Sequence, residues 1–295
     1  MTPPARHDHR EGGPAAALFP CWDLGRRVLR PADRPLVMGI LNLTPDSFFP
    51  GSRVTGAAAA VDTAMAMLAA GADVLDLGAE STRPGAGAVS PAEEQDRLLP
   101  AIEAIRARTD APLTADTRHG RTARLALAAG ADAINDIGGG RDSGLVAAVG
   151  DAGAGLVLMH MQGEPRTMQD DPVYGDVVAD VAAWLDAQAV AATRAGVAAS
   201  RIMVDPGIGF GKRLEHNLAL LAALGTVAGG RPLLLGASRK SFIAHLTGAP
   251  VDQRLGGSLA AVAAAHRHRA TMVRVHDVAE TVQFLAVLAA VDAAT

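Results

Sequence analysis

The sequence predicts a single (β/α)8 TIM barrel with a short N-terminal β-hairpin, and three observations carry that prediction. Strand-like apolar runs alternate with Ala-rich helical patterns eight times from residue 35 onward, as βαβ units on a parallel sheet do. Those units fill about 260 residues, the size of a closed eightfold barrel. An open doubly wound sheet usually places a Gly-rich phosphate turn after its first strand. Here that strand runs into Asn42-Leu43-Thr44-Pro45-Asp46-Ser47.

Residues 1–18 carry Pro, Arg, His and Gly without periodicity and are expected to be a disordered tail ahead of a domain over 19–295. The stretch Trp22 to Leu29 turns at Gly25 and suits a hairpin that plugs the base of the barrel. Strands are expected at 36–43, 74–78, 113–116, 133–137, 156–160, 202–205, 233–236 and 272–275. Helices are expected at 57–69, 91–108, 121–129, 143–151, 176–195, 214–224, 253–267 and 278–290. A weak repeat joins them. Ala69-Ala70-Gly71-Ala72-Asp73 and Ala128-Ala129-Gly130-Ala131-Asp132 each end a helix at a glycine suited to the left-handed conformation, and a strand follows at once.

Hydrophobic residues make up 49% of the 295, enough for a sizeable core. Aromatics are only 3%, and small aliphatics dominate, as strands covered on both faces by helices require. A net charge of −4 without a basic block points away from nucleic acid. Cys21 is the only cysteine, which excludes an internal disulfide and a thiolate metal cluster. The absence of a long uncharged apolar run argues against a membrane span, and a cytoplasmic location is expected.

The chemistry lies at the C-terminal ends of the strands, where parallel α/β barrels hold their ligands. Those ends present Asn42, Glu80 to Arg83, Asp116-Thr117-Arg118, Asn135-Asp136, His160, Asp205, Arg239-Lys240-Ser241 and Arg274-Val275-His276-Asp277. Any one of these could be a helix cap or turn residue, as Asp46 and Asp277 illustrate. That reading weakens where polar groups interrupt apolar runs, as Asn135, Asp136 and Asp205 do, because an unpartnered buried polar group costs roughly 1–3 kcal/mol. Asp116, Asn135, Asp205 and Lys240 at one mouth suit a ligand rich in donors and acceptors; a structural ion-pair network is the alternative. Arg274 and His276, two apart on one strand, share a side and form with Arg239 and Lys240 a cationic corner suited to phosphate. Asn42 is the candidate metal contact. With so few protein ligands, the form expected is magnesium held mainly by substrate phosphates. The Gly- and Pro-bearing loops 45–56 and 82–90 are candidate lids.

These residues resemble the dihydropteroate synthases, a pterin-binding family, over about residues 35–292. Five ordered motifs carry the resemblance: Met38-Gly39-Ile40-Leu41-Asn42-Leu43-Thr44-Pro45-Asp46-Ser47-Phe48, Glu80-Ser81-Thr82-Arg83-Pro84-Gly85, Asp205-Pro206-Gly207-Ile208-Gly209-Phe210, Ser238-Arg239-Lys240-Ser241-Phe242 and Arg274-Val275-His276-Asp277. The resemblance implies condensation of 6-hydroxymethyl-7,8-dihydropterin diphosphate with 4-aminobenzoate, giving 7,8-dihydropteroate and pyrophosphate. It implies that Asp116, Asn135, Asp205 and Lys240 hold the pterin, with Met159 and Phe210 as apolar contacts. Asn42 would then ligate Mg2+, while Thr82, with Arg83 beside it, Arg274 and His276 meet the diphosphate and Ser241 receives the aminobenzoate carboxylate. It also implies a homodimer. Of these, Arg274, His276 and Lys240 are the expected catalytic residues. One departure stands out: the family's first lid often reads Ser-Phe-Ser-Asp-Gly-Gly, and this chain has Ser47-Phe48-Phe49-Pro50-Gly51-Ser52. The competing readings are a pterin-dependent methyltransferase, which would not need the phosphate corner, and a non-catalytic pterin-binding paralogue, for which Pro50 is the only sequence hint.

Overall fold

The computed structural model describes residues 19–43, 53–80, 89–164 and 167–294, with the side chains of 53–55 left aside. The tail expected over 1–18, both lid tips, Pro50, Thr82 and Arg83 lie outside the described residues.

Eight parallel strands form the barrel: β3 (Leu36–Asn42), β4 (Val74–Gly78), β5 (Leu113–Asp116), β6 (Ala133–Asp136), β7 (Gly155–Met159), β8 (Ile202–Asp205), β9 (Leu234–Leu235) and β10 (Met272–Val275). Their order is β8-β7-β6-β5-β4-β3-β10-β9. A parallel bridge from Val204 to Leu233 joins the two ends, so no edge is left open. Four strands coincide with the expected bounds, and the others shift or shorten by a residue or so. The helical pattern over 214–224 breaks at Ala223, giving α6 (Leu214–Ala222) and α7 (Leu224–Ala228). An additional seven-residue helix, α8 (Ser241–Thr247), opens at the strand-seven motif.

The repeated glycines do what the spacing requires. Gly71 and Gly130 have φ of 99° and 114°, a region closed to residues with a Cβ. The aspartates two residues later brace the base of the barrel. Asp73 accepts from the Val37 amide (2.8 Å) and Asp132 from the Leu113 amide (2.8 Å), satisfying an amide at the start of each of two strands. Arg106 (2.7 Å) and Arg26 balance the charge of Asp132.

The hairpin β1 (Trp22–Asp23) and β2 (Val28–Leu29) turns at Gly25, with φ of 82°. Trp22 and Leu24 pack under the barrel against Met38, Val74, Ala133, Val157, Met203, Leu234 and Met272. Trp22 is fully buried, and its indole N–H donates to the Arg201 carbonyl at 2.8 Å, the partner that a buried indole needs. Because side chains alternate along a strand, the inward positions two residues further on form the next layer. That layer is mostly polar.

Candidate active site

The second inward layer contains Asp76, Asp116, Asn135, Met159, Asp205 and Arg274, each two residues on from an inward neighbour or level with one across the register. Arg274 reaches across the barrel. Its Nε lies 2.5 Å from Asp76 Oδ2 and its Nη2 lies 2.8 Å from Asp116 Oδ2. Asp76 also accepts from Asn135 Nδ2 (3.2 Å) and from the Thr114 hydroxyl. The sequence groups Arg274 with His276 at the phosphate corner; the structure seats its guanidinium between two carboxylates, beside Asn135.

Asp205 is 5% exposed, and its Oδ1 accepts from the Gly207 amide at 2.7 Å. Burial pushes its carboxyl up, while the charges of Lys240, Lys212 and Arg274 and the Gly207 amide pull it back. Burial likewise lowers Lys240 to about 8, against the attraction of Asp205. Asp116 is raised to about 7 by burial, opposed chiefly by Arg274. Three carboxylates (Asp76, Asp116, Asp205) thus meet three cations (Arg274, Lys240, Lys212), the balance that buried charge demands.

An apolar wall stands beside the charges, formed by Ile137, Met159, Met161 and Met168 with Phe210 against them. The Lys240 ammonium lies 4.4 Å above the Phe210 ring and donates to the Ile208 carbonyl. A flat ring with polar edges has what it needs here, an apolar face and charged donors and acceptors around it.

At the outer rim, His276 takes the Ser238 hydroxyl on two atoms, with its amide at 3.2 Å and its ring Nδ1 at 3.1 Å. Ser241, exposed, is the first residue of α8, whose N-cap position is Lys240. Asn42 ends β3, half-buried and in register with Gly78. Two corner residues play a different part from the one expected. Arg239, with φ of 57°, pairs Nε with Asp277 Oδ2 at 3.0 Å, so its charge is spent on that carboxylate. Asp277 holds Arg239 and makes no side-chain cap on α10 (Val278–Asp292).

Asp136 and His160 also turn from the mouth. Asp136 accepts from the Gly138 and Gly140 amides (2.7 Å each) and shapes the loop after β6. The His160 ring lies 5.0 Å edge-on to Trp184. Sequence reasoning missed Asp76, Met161, Met168 and Lys212. Asp76 had a legible signal, since a carboxylate inside Val74-Leu75-Asp76-Leu77 breaks an apolar run just as Asn135 does.

Among the described residues no group of three or more His, Cys, Asp or Glu side chains is arranged to hold a metal. Asn42, at the C-terminal end of β3, offers a neutral amide oxygen, a hard donor of the class magnesium accepts beside water and phosphate oxygens. No described helix is long and apolar enough to cross a membrane.

A family model described as pterin binding enzyme matches residues 38–276. The dihydropteroate synthase of Escherichia coli K12 is 44% identical over 257 residues, covering 87% of this chain and 91% of its own. The solved structure of the Xanthomonas albilineans synthase with 4-aminobenzoic acid superposes with a TM-score of 0.85 at 46% identity, covering 93% of this chain and 99% of its own. The Burkholderia cenocepacia synthase complexed with 7,8-dihydropteroate gives 0.82 at 48%, covering 94% and 96%.

Proposed function

We propose the following chemistry for this chain, which belongs to the family of pterin binding enzymes. Its activity is that of a dihydropteroate synthase, a transferase of folate synthesis. The amine of 4-aminobenzoate attacks the CH2 of 6-hydroxymethyl-7,8-dihydropterin diphosphate. The carbon–oxygen bond to the diphosphate breaks, pyrophosphate leaves, and the amine gives up a proton. The observation that carries this reading is the joining of a charged, apolar-walled pocket (Asp116, Asn135, Asp205, Lys240, Met159, Phe210) to a rim that bears His276 and Ser241.

In this reading Asp205 accepts from the ring N–H groups of the pterin and Lys240 donates to its acceptors. Asn135 and Asp116 complete the edge, and the methionine wall and Phe210 cover the faces. Arg274, anchored by Asp76 and Asp116, stands at the junction of the two halves, where negative charge grows on the leaving diphosphate. His276 and Thr82 meet that diphosphate, with Arg83 adjacent in the second lid. Ser241 takes the aminobenzoate carboxylate. Mg2+ on Asn42 would add positive charge at the same oxygens. The attacking amine needs orientation more than a strong base, and no covalent intermediate on the chain is required.

Two coarser expectations belong to the same proposal. A homodimer is supported by the family resemblance and by Val287 and Val291, exposed four residues apart on α10. A cytoplasmic location is supported by the folate chemistry and by the single cysteine.

The test is direct. With both substrates and Mg2+, the protein forms dihydropteroate and pyrophosphate in equal amounts. Tight binding of the pterin diphosphate without either product would assign a binding role instead. Arg274→Met should slow turnover more than it weakens binding of a pterin lacking the diphosphate; equal losses would remove Arg274 from the leaving-group side.

A further inference from the structure

Lys212, immediately after the Asp205–Gly211 stretch, takes no part in the chemistry above, yet it is a lysine only 3% exposed. Its ammonium has three partners: the His160 ring Nδ1 at 2.9 Å, the Phe210 carbonyl at 2.9 Å and the His160 carbonyl at 3.3 Å. Burial lowers the Lys212 amine to about 7, opposed by the charge of Asp205, and the three partners offset part of a desolvation that would otherwise cost several kcal/mol. The His160 ring is fixed from its other side by Trp184, edge-on at 5.0 Å, and by Tyr174 at 6.0 Å. Lys212 therefore ties the end of β7 to the loop that follows β8.

That loop has no regular structure, and its carbonyls from 208 to 211 are satisfied one by one by side chains. Lys240 takes the Ile208 carbonyl, Gln169 the Gly209 carbonyl (2.6 Å), Lys212 the Phe210 carbonyl and Tyr174 the Gly211 carbonyl (2.7 Å). Gly207, Gly209 and Gly211 all have positive φ, so backbone preference alone does not hold this path. Of the four donors, Lys212 and Lys240 carry charge, and both act on Asp205. We infer that Lys212 is a positioning residue for the pterin half of the site: its side-chain nitrogen holds the Phe210 segment against the His160 strand end. This rests on the pterin assignment proposed above. His160 is the acceptor in the pair: burial, aided by the charge of Lys212, lowers its ring to about 3 and keeps it neutral.

The experiment is Lys212→Met, which keeps the length and removes the charge and donors. Pterin diphosphate affinity is read by calorimetry, the Michaelis constant for each substrate by initial rates, and the fold by circular dichroism. The expected result is a Kd for pterin diphosphate raised about tenfold or more, the scale of charged hydrogen bonds lost, with the Michaelis constant for the aminobenzoate substrate nearly unchanged. A folded variant with unchanged pterin affinity, or with both constants raised alike, overturns the inference. Should Lys212→Met fail to fold, Lys212→Gln, which keeps a donor but no charge, is measured against the same criteria. Wild-type protein in the same assay separates the two claims. Absence of wild-type turnover counts against the synthase reading, whereas the calorimetric comparison still decides for Lys212.

Discussion

Replacing Asp205 by Ala lowers affinity for the pterin diphosphate by about a hundredfold or more, because two hydrogen bonds to a charged acceptor disappear together. Isothermal titration of the folded variant gives the number. The expectation follows from the placement of the carboxylate: almost fully buried, held by the Gly207 amide and facing Lys240, Lys212 and Arg274. Without it Lys240, Lys212 and Arg274 remain around a neutral gap, and the pterin loses the carboxylate that its ring N–H groups face. Asp205→Asn distinguishes the causes. It keeps the shape and one acceptor but presents donors where the pterin presents donors, so its affinity should fall almost as far. Near-wild-type binding by the Asn variant would remove Asp205 from the ring edge.

The second large effect is at Asp76, and it falls on stability as well as rate. Asp76 is completely buried and accepts from Arg274, Asn135 and Thr114. Asp76→Ala leaves the guanidinium with Asp116 alone, removes the Asn135 amide's acceptor and leaves the Thr114 hydroxyl with a long bond to the Leu75 carbonyl (3.4 Å). Breaking a buried ion pair in this way costs about 3–5 kcal/mol, a large share of the roughly 5–15 kcal/mol that holds a typical domain. Urea unfolding should show the midpoint falling at constant slope. Turnover should fall further than the residual folded fraction explains, because Arg274 and Asn135 lose the group that aims them. A loss of stability smaller than about 1 kcal/mol, the scale of a surface pair, would contradict a central role for Asp76.

The alternation of apolar strands and Ala-rich helices made the barrel legible, and four strand bounds coincide with the sequence reading. The split at Ala223 escaped it, since packing settles it on a scale shorter than a helical pattern; the helix opening at Ser241 was legible, though its seven-residue length was not. The polar strand ends were legible for a chemical reason: burying Asn135 or Asp205 demands a partner. The same argument applied to Asp76, but its place in mid-strand, away from the strand ends, hid it. Lys212, Met161 and Met168 left no periodic signal, because loops after β7 and β8 bring them beside Met159 and Phe210. The partition of charge was equally hidden. Nothing in the spacing of Arg274 and His276 distinguishes a guanidinium that spans the barrel to Asp76 and Asp116 from one aimed outward. Arg239 likewise reads as a ligand cation until Asp277 is seen beside it.

The central claim is that strand ends from around the barrel enclose one pterin-shaped space. A crystal structure of the protein with a pterin ligand and 4-aminobenzoate measures this most directly. The pterin is expected edge-on to Asp205 and Asn135, with its face against Met159 and Phe210 and the aminobenzoate carboxylate near Ser241. Pterin density outside the ring of Asp116, Asn135, Asp205 and Lys240 would contradict it.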